Sequence, residues 1–504
     1  MDREQFRAAA HAAIDDNRRV LPTIEPGYLR PQIPDSPPLE PQAWSEIQAD
    51  IESKIQPGLT HWQSPNFMAF FPASVTYPSI LGEMYSAAFT APAFNWICSP
   101  ACTELETVVM DWVGKALGLP ECFQSTSANR GGGVIQGTAS ESVATMLIAA
   151  RERRARELTL ADGVKDGSAE YEDRICAHRV KLVALSSDQA HSSIAKAALV
   201  AGTRFRSVPA KLEDNLEMTG ESLRAVLTQI EERDGLVPFF ITFTMGTTSS
   251  CAVDRFAELK AVLNEKESWR RIWVHIDAAY AGAALVADEY QHFAQHFAEG
   301  VDSFNMNMHN CLFVRNRVDL TDALDITPIY LRNPYSEQGT VIDYRNWQIS
   351  LGRRFRSLKI WFVMRSYGLN GMKAHIRKGI ALGDLFVDKI RSRPDLFEIV
   401  TKPAFGLTVL RVRSSPSTTA VTNGTNGEKG GSKHAIAQVD EKANELTKQV
   451  YELINSRGEV YLTSSVIAGI YVIRVVSGSA LADESHLLRA FDILVSTTEE
   501  ILHT

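Results

Sequence analysis

The chain has 504 residues, 45% of them hydrophobic and 22% charged, with a formal net charge of −8. That length exceeds one compact core and points to two to four domains. The acidic balance argues against nucleic acid as the main partner, because phosphate backbones are bound by basic surfaces. No apolar run is long enough to predict a membrane span, and the polar start MDREQFRAAAHAAIDD lacks the apolar core of a secretory leader, so the cytoplasm is the expected compartment. Six scattered cysteines form no CxxC pair, so neither a metal site nor a disulfide framework is expected.

In chain order, residues 1–85 are proline-rich between Pro22 and Pro78 and read as an extended, partly helical arm. Residues 86–365 alternate apolar strand-like runs, such as 181–185, 239–244 and 272–277, with helical runs. Such alternation predicts an α/β domain with a mostly parallel sheet covered by helices. Residues 366–504 predict a smaller α+β domain, with a strand at 407–412, a helix near 436–455, strands near 459–463 and 470–476, and a helix from about 483. Within it, 414–433 reads SSPSTTAVTNGTNGEKGGSK, too poor in large apolar residues to order itself, and is expected to be a disordered surface insert.

Four places carry candidate chemistry. Residues 131–141 read GGGVIQGTASE, and Val143, Met146, Leu147 and Ala150 give the next segment the apolar face of a helix. Thr138 and Glu141 have the spacing of a capping box, so the helix is predicted to start there. Its free N–H groups and positive dipole end suit a phosphate, although a plain glycine-rich turn explains the same residues equally well. The apolar run 272–277 ends in Asp277. Ligands of open α/β sheets sit beyond the carboxyl ends of strands, where a carboxylate can pair with a protonated pyridine nitrogen. A helix N-cap is the commoner use of such an aspartate. His191 comes after another strand-like run and could stack on an aromatic cofactor and move protons near neutral pH, or be a solvated loop histidine. His309, after the alternating 304–308, reads by itself as structural.

Order and spacing join these fragments. FFPASVTYP (70–78), SPACTELETVVMDWVGKALGLP (99–120), GGGVIQGTASE (131–141), SSDQAHSS (186–193), VHIDAAYAG (274–282), VDSFNMNMH (301–309) and DYRNWQISLGRRFRSLKIWFVMRSYG (343–368) resemble the group II pyridoxal-phosphate (PLP) decarboxylases, specifically the aromatic-L-amino-acid decarboxylases. The likeness covers almost the whole chain. It implies a fold-type I large domain with a mostly parallel seven-stranded sheet, an obligate homodimer, PLP as cofactor, and decarboxylation of an aromatic L-amino acid (tryptophan, tyrosine, phenylalanine or DOPA) to the amine and CO₂.

By position, the resemblance puts Ala139, Ser140 and Asn307 at the phosphate and Asp277 at the ring nitrogen. It puts Ala279 and His191 on the two ring faces and Thr247 against the cofactor. Trp62, Phe71, Pro72 and Phe94 match the aromatic substrate pocket. Tyr330 matches a mobile-loop tyrosine that protonates the carbanion, and with His191 and His309 it makes up the catalytic candidates. A phenylalanine there marks relatives that oxidise the amine to an aldehyde, so Tyr330 favours simple decarboxylation over an aldehyde synthase.

The resemblance breaks after His309. The family carries its Schiff-base lysine at the next position, and here stands Asn310, continued directly by CLFVRNRVDLT. Against the family pattern about ten residues are absent, roughly the size of a strand. That leaves room for one of the seven strands to be missing, together with buried side chains worth roughly 1.5–3 kcal/mol each. A second shortfall lies near Asn17, and Gln63 and Ala73 depart from the pattern near the substrate pocket. Three explanations stand: over-long removal of coding sequence, a non-catalytic pseudoenzyme that pairs with an intact paralogue as a heterodimer, and a PLP enzyme that works without the lysine. The intact flanking motifs favour the first.

Overall fold

The computed structural model describes residues 28–308, 310–339, 341–414 and 439–503. All of the insert 414–433 except Ser414, His309, and the side chain of Tyr330 lie outside the described residues. The chain divides into two compact units. One comprises Val75–Lys378 with Thr401–Phe405; the other comprises the described parts of Met1–Ser74, Gly379–Val400 and Gly406–Thr504.

The first unit is built on a seven-stranded sheet. Its strands are β1 (Gly132–Ile135), β2 (Leu182–Ser187), β3 (Arg204–Val208), β4 (Val237–Thr244), β5 (Trp273–Asp277), β6 (Ser303–Met306) and β7 (Cys311–Val314). Their order across the sheet is β1-β7-β6-β5-β4-β2-β3. The pairs from β3 to β6 are parallel, and β7 runs antiparallel to both β6 and β1. The central strands β2, β4 and β5 are largely apolar, as strands covered on both faces are, whereas the edge strand β3 carries Arg204 and Arg206. Val274, Ile276, Phe304, Met306 and Phe313 pack into one core, and Trp273, Phe240, Leu312 and Val314 pack into another with Val143, Met146 and Leu147 of the helix Ala139–Ala161.

The possible loss of a strand is overturned. Cys311-Leu-Phe-Val314 lies between β6 and β1 with Leu312 and Phe313 fully buried, so the sheet is complete. Met306 pairs with Cys311, so residues 307–310 join β6 to β7.

The glycine-rich turn that the sequence offers at 131–133 is strand from Gly132 onward instead. Gly132 and Gly133 lie within β1, and a Cβ on Gly131 would sit 2.0 Å from the Cys122 carbonyl oxygen. Close packing of backbone on backbone, rather than a turn, requires glycine there.

The second unit holds an antiparallel sheet of order β10-β11-β9-β8, formed by β8 (Phe397–Ile399), β9 (Leu407–Val412), β10 (Thr463–Ile467) and β11 (Ile470–Val476). The helices Glu441–Arg457 and Glu484–His503 pack on it through Val450, Ile454, Leu487 and Leu494. The strand expected near 459–463 begins instead at Thr463. Tyr461 forms an isolated parallel bridge with Phe67, and its N–H donates to the Asn66 carbonyl, which draws that segment away from the β10–β11 ladder.

Candidate active site

The site grows from the alternation of side chains along β4, β5 and β6. Residues two apart share a face, and on the face that packs under the helix Ala139–Ala161 the carboxyl ends turn polar. Thr242 and Thr244 of β4 pair in register with His275 and Asp277 of β5, which pair in turn with Ser303 and Asn305 of β6. All six are buried. The opposite face of the same strands stays apolar through Phe243, Ile276 and Phe304.

Asp277 is 5% exposed at the last position of β5. Its Oδ1 accepts from Asn305 Nδ2 at 3.2 Å and from the Ala279 N–H at 3.1 Å. Among the described residues no donor reaches its Oδ2. Beside it Thr244 Oγ1 is buried without a partner. A buried carboxylate with one oxygen unclaimed is the acceptor a protonated ring nitrogen calls for.

Behind Asp277 runs a row of side-chain hydrogen bonds. Trp273 Nε1 donates to Ser303 Oγ at 2.7 Å, Ser303 Oγ meets His275 Nδ1 at 2.8 Å, and His275 Nε2 meets Asn305 Oδ1 at 2.7 Å. Burial pushes His275 down to about 4, against the opposing pull of Asp277, so the ring is neutral at neutral pH. The end of β4 is fixed from the other side by Asp254, whose carboxylate accepts from the N–H groups of Thr244 at 2.7 Å and Met218 at 2.8 Å. Burial raises Asp254 to about 7, and the two backbone bonds oppose that rise.

The helix Ala139–Ala161 opens at the same edge. Thr138 is its N-cap and accepts from the Glu141 N–H at 3.0 Å. The Glu141 carboxylate returns one residue further than a capping box would take it, accepting from the Gly137 N–H at 2.9 Å. The first-turn N–H groups of half-buried Ala139 and exposed Ser140 stay available to an anion.

Asn307 and Asn310 lie against neighbouring segments of this edge. The Asn307 N–H donates to the Ala279 carbonyl at 3.0 Å, and Asn310 Nδ2 donates to the Gly137 carbonyl at 2.9 Å. Asp277, Ala279, Asn307, Asn310, Ala139 and Ser140 are thus gathered along one edge of the sheet.

Thr247 is buried in the turn after β4, where its hydroxyl pairs with Ser250 Oγ at 2.9 Å and accepts from the Ala252 N–H at 3.0 Å. His191 is exposed between β2 and the helix Ser193–Val200. Its Nδ1 accepts from the Ser193 N–H at 3.2 Å, which leaves Nε2 to carry the proton of the neutral ring.

The substrate-pocket candidates are divided. Trp62, Phe71 and Pro72 belong to one unit and Phe94 to the other. Trp62 stacks on Phe70 with centroids 5.5 Å apart, and the Arg474 guanidinium lies 5.3 Å from the centre of the Phe71 ring.

The sequence reading missed two features. The Ser303–His275–Asn305 row was legible as polar residues two apart in apolar strands. Arg356 was hidden in a run of arginines. Its Nη2 would lie 4.0 Å from a Cβ on Gly137, and it makes no ion pair among the described residues.

Asp277 and the first-turn N–H groups of Ala139 and Ser140 suit the ring nitrogen and the phosphate of PLP, whereas the position after His309 offers an amide, and an amide forms no imine. Residues 26–413 match the pyridoxal-dependent decarboxylase conserved domain, and the chain belongs to that family. It is 38% identical to the aromatic-L-amino-acid decarboxylase of Rattus norvegicus, over 100% of this chain and 99% of that protein. Among solved structures it resembles Oryza sativa TDC with PLP and tryptamine (TM-score 0.86, 34% identity, 99% of both chains). It also resembles Rhodiola rosea 4-hydroxyphenylacetaldehyde synthase (TM-score 0.83, 33% identity, 99% of both chains).

Proposed function

We propose that this chain is by descent a decarboxylase of aromatic L-amino acids, that it holds PLP without a covalent link, and that it turns over far more slowly than a lysine-bearing relative. The observation that carries this reading is Asp277, buried at the end of β5 with one carboxylate oxygen unclaimed. When bound, PLP supplies an electron-accepting pyridinium ring for the electrons left as CO₂ departs.

The chain's own residues do the rest. Asp277 holds positive charge at the ring nitrogen. Ala139, Ser140 and Asn307 meet the phosphate, with Arg356 as added positive charge. Ala279 and His191 flank the ring, and Thr247 fixes the turn beside it. Tyr330, His191 and His309 are the groups that move protons. Trp62, Phe71, Pro72 and Phe94 offer flat apolar surface to the amino acid's ring. Asn310 brings no amine to displace a bound product, and the slow turnover arises there.

Release of labelled CO₂ from carboxyl-labelled L-tryptophan, L-tyrosine, L-phenylalanine and DOPA, with PLP in excess, tests this reading. Slow, PLP-dependent release is expected. Release at the rate of a lysine-bearing relative would overturn the account of Asn310. Peroxide and ammonia beside the CO₂ would turn the reading toward an aldehyde synthase.

A second reading, a non-catalytic partner of an intact paralogue, is favoured by one observation. Asn310 is fully engaged in the turn, through its side-chain amide and its carbonyl. Co-purification with a lysine-bearing homologue would support it, and a homogeneous self-dimer would count against it.

We favour the homodimer. The helix Tyr77–Phe89 leaves Tyr77 71%, Leu81 47% and Phe89 58% exposed, an apolar face of the kind that marks an interface. No helix among the described residues is long and apolar enough to cross a membrane. Placement in the cytoplasm rests on the sequence.

A further inference from the structure

The row of hydrogen bonds behind Asp277 admits only one arrangement of protons. Trp273 Nε1 can only donate, so Ser303 Oγ accepts from it and spends its single hydrogen on another partner. An ionised Asp277 carboxylate only accepts, so Asn305 gives it Nδ2 and turns Oδ1 to His275 Nε2; the neutral imidazole then carries its proton on Nε2, and its Nδ1 accepts the hydroxyl hydrogen of Ser303. Reversing the row would set the Asn305 carbonyl oxygen against the Asp277 carboxylate, oxygen facing oxygen. Every donor thus points toward Asp277, and every member of the row is buried.

From this geometry we infer that Ser303, His275 and Asn305 are positioning residues for Asp277. Acting as a one-way relay, they occupy Oδ1 and hold the carboxylate oriented, so that Oδ2 is kept for the ring nitrogen of PLP. The inference rests on the reading of Asp277 as the ring-nitrogen partner. The bland alternative is a satisfied polar row that merely fixes the register of β5 on β6.

The two differ in what they do to one atom of the cofactor. Dissociation constants of the full chain would be measured for PLP and for its analogue in which the ring nitrogen is replaced by C–H, with the melting temperature of the cofactor-free chain as the control for folding. The unaltered chain is expected to prefer PLP by roughly tenfold or more, the worth of a hydrogen bond to a charged group. Ser303→Ala, which removes one oxygen atom, is expected to cut that preference by about threefold or more, and Asn305→Leu to abolish it.

A row that only fixes register would weaken both ligands equally. A preference unchanged in Ser303→Ala overturns the relay, and Ser303→Ala decides alone if Asn305→Leu does not fold. Equal affinity of the unaltered chain for the two ligands overturns both the relay and the reading of Asp277 beneath it.

Discussion

Asn310 donates from its side-chain amide to the Gly137 carbonyl at 2.9 Å, while its own carbonyl accepts from the Gln136 N–H at 3.0 Å. One residue thus ties the β6–β7 turn to the segment that leads into the helix Ala139–Ala161. The connection from β6 to β7 is closed by specific bonds, and the seventh strand stays in register beyond it.

That closure sets the effect of replacing the residue. Asn310 has φ +62°, in the left-handed region that asparagine tolerates and that costs most side chains roughly 1–2 kcal/mol. Asn310→Lys keeps the strain and loses the amide donor, so urea unfolding is expected to show a loss of about 1–3 kcal/mol. Asn310→Gly relieves the strain and loses only the donor, and should lie closer to the parent. Equal stability of the parent and Asn310→Lys would contradict this account of the turn.

His275 makes a pH-dependent contribution with a definite sign. Burial lowers it from an ordinary 6.5 to about 4 in the fold. Between those values the unfolded chain binds the proton more readily than the folded one, so stability is lost as pH falls from about 6.5 toward 4. The contribution is fully present above 6.5. His275→Gln has no such group, so the stability gap between it and the parent should be largest above pH 6.5 and narrow toward pH 4. Denaturant midpoints across that range check the trend. A gap that widens on acidification would contradict it.

Arg356 lies near the helix start with its guanidinium half-buried, and burial together with the neighbouring Arg353 pulls its pKa down. A phosphate there would relieve the repulsion between the two arginines. Arg356→Met is expected to weaken PLP binding by about tenfold and to leave the binding of pyridoxal, which lacks the phosphate, nearly unchanged. Equal losses for both ligands would place the arginine's role elsewhere.

The apolar face of the helix Tyr77–Phe89 gives a prediction about assembly. Leu81→Glu and Phe89→Glu each put a charge on a side chain about half exposed within the single chain. In a dimer closed over that face the charge would be buried at high cost. Sedimentation velocity should show a dimer for the parent and a shift to monomer for both variants. Unchanged sedimentation would remove this helix from the interface.

How much was legible in the sequence depends on which residues speak locally. β5 could be read because an unbroken apolar run ends in one acid, and the helix start because Thr138 caps it. Gly131–Gly133 were opaque. A run of glycines looks the same in a turn as in a strand pressed against another backbone, and only the Cys122 carbonyl 2.0 Å from a would-be Cβ separates the two. The strand Cys311–Val314 was hard to read because four apolar residues between polar neighbours fit a strand and a short buried turn alike. Ser303 and Asn305 could have been found from their alternation with Phe304 and Met306. Arg356 could not, since nothing in an arginine-rich run tells which guanidinium meets a helix start.

The most direct test of non-covalent PLP binding is to titrate the full chain with PLP, reduce it with borohydride and weigh it intact. Saturable binding that dialysis reverses, with an unchanged mass after reduction at stoichiometric cofactor, is the predicted result. A stoichiometric covalent adduct would mean that another lysine serves the site, and a failure to bind PLP saturably would mean that Asp277 and the helix start do not form a cofactor site in this chain. Either result would contradict the account.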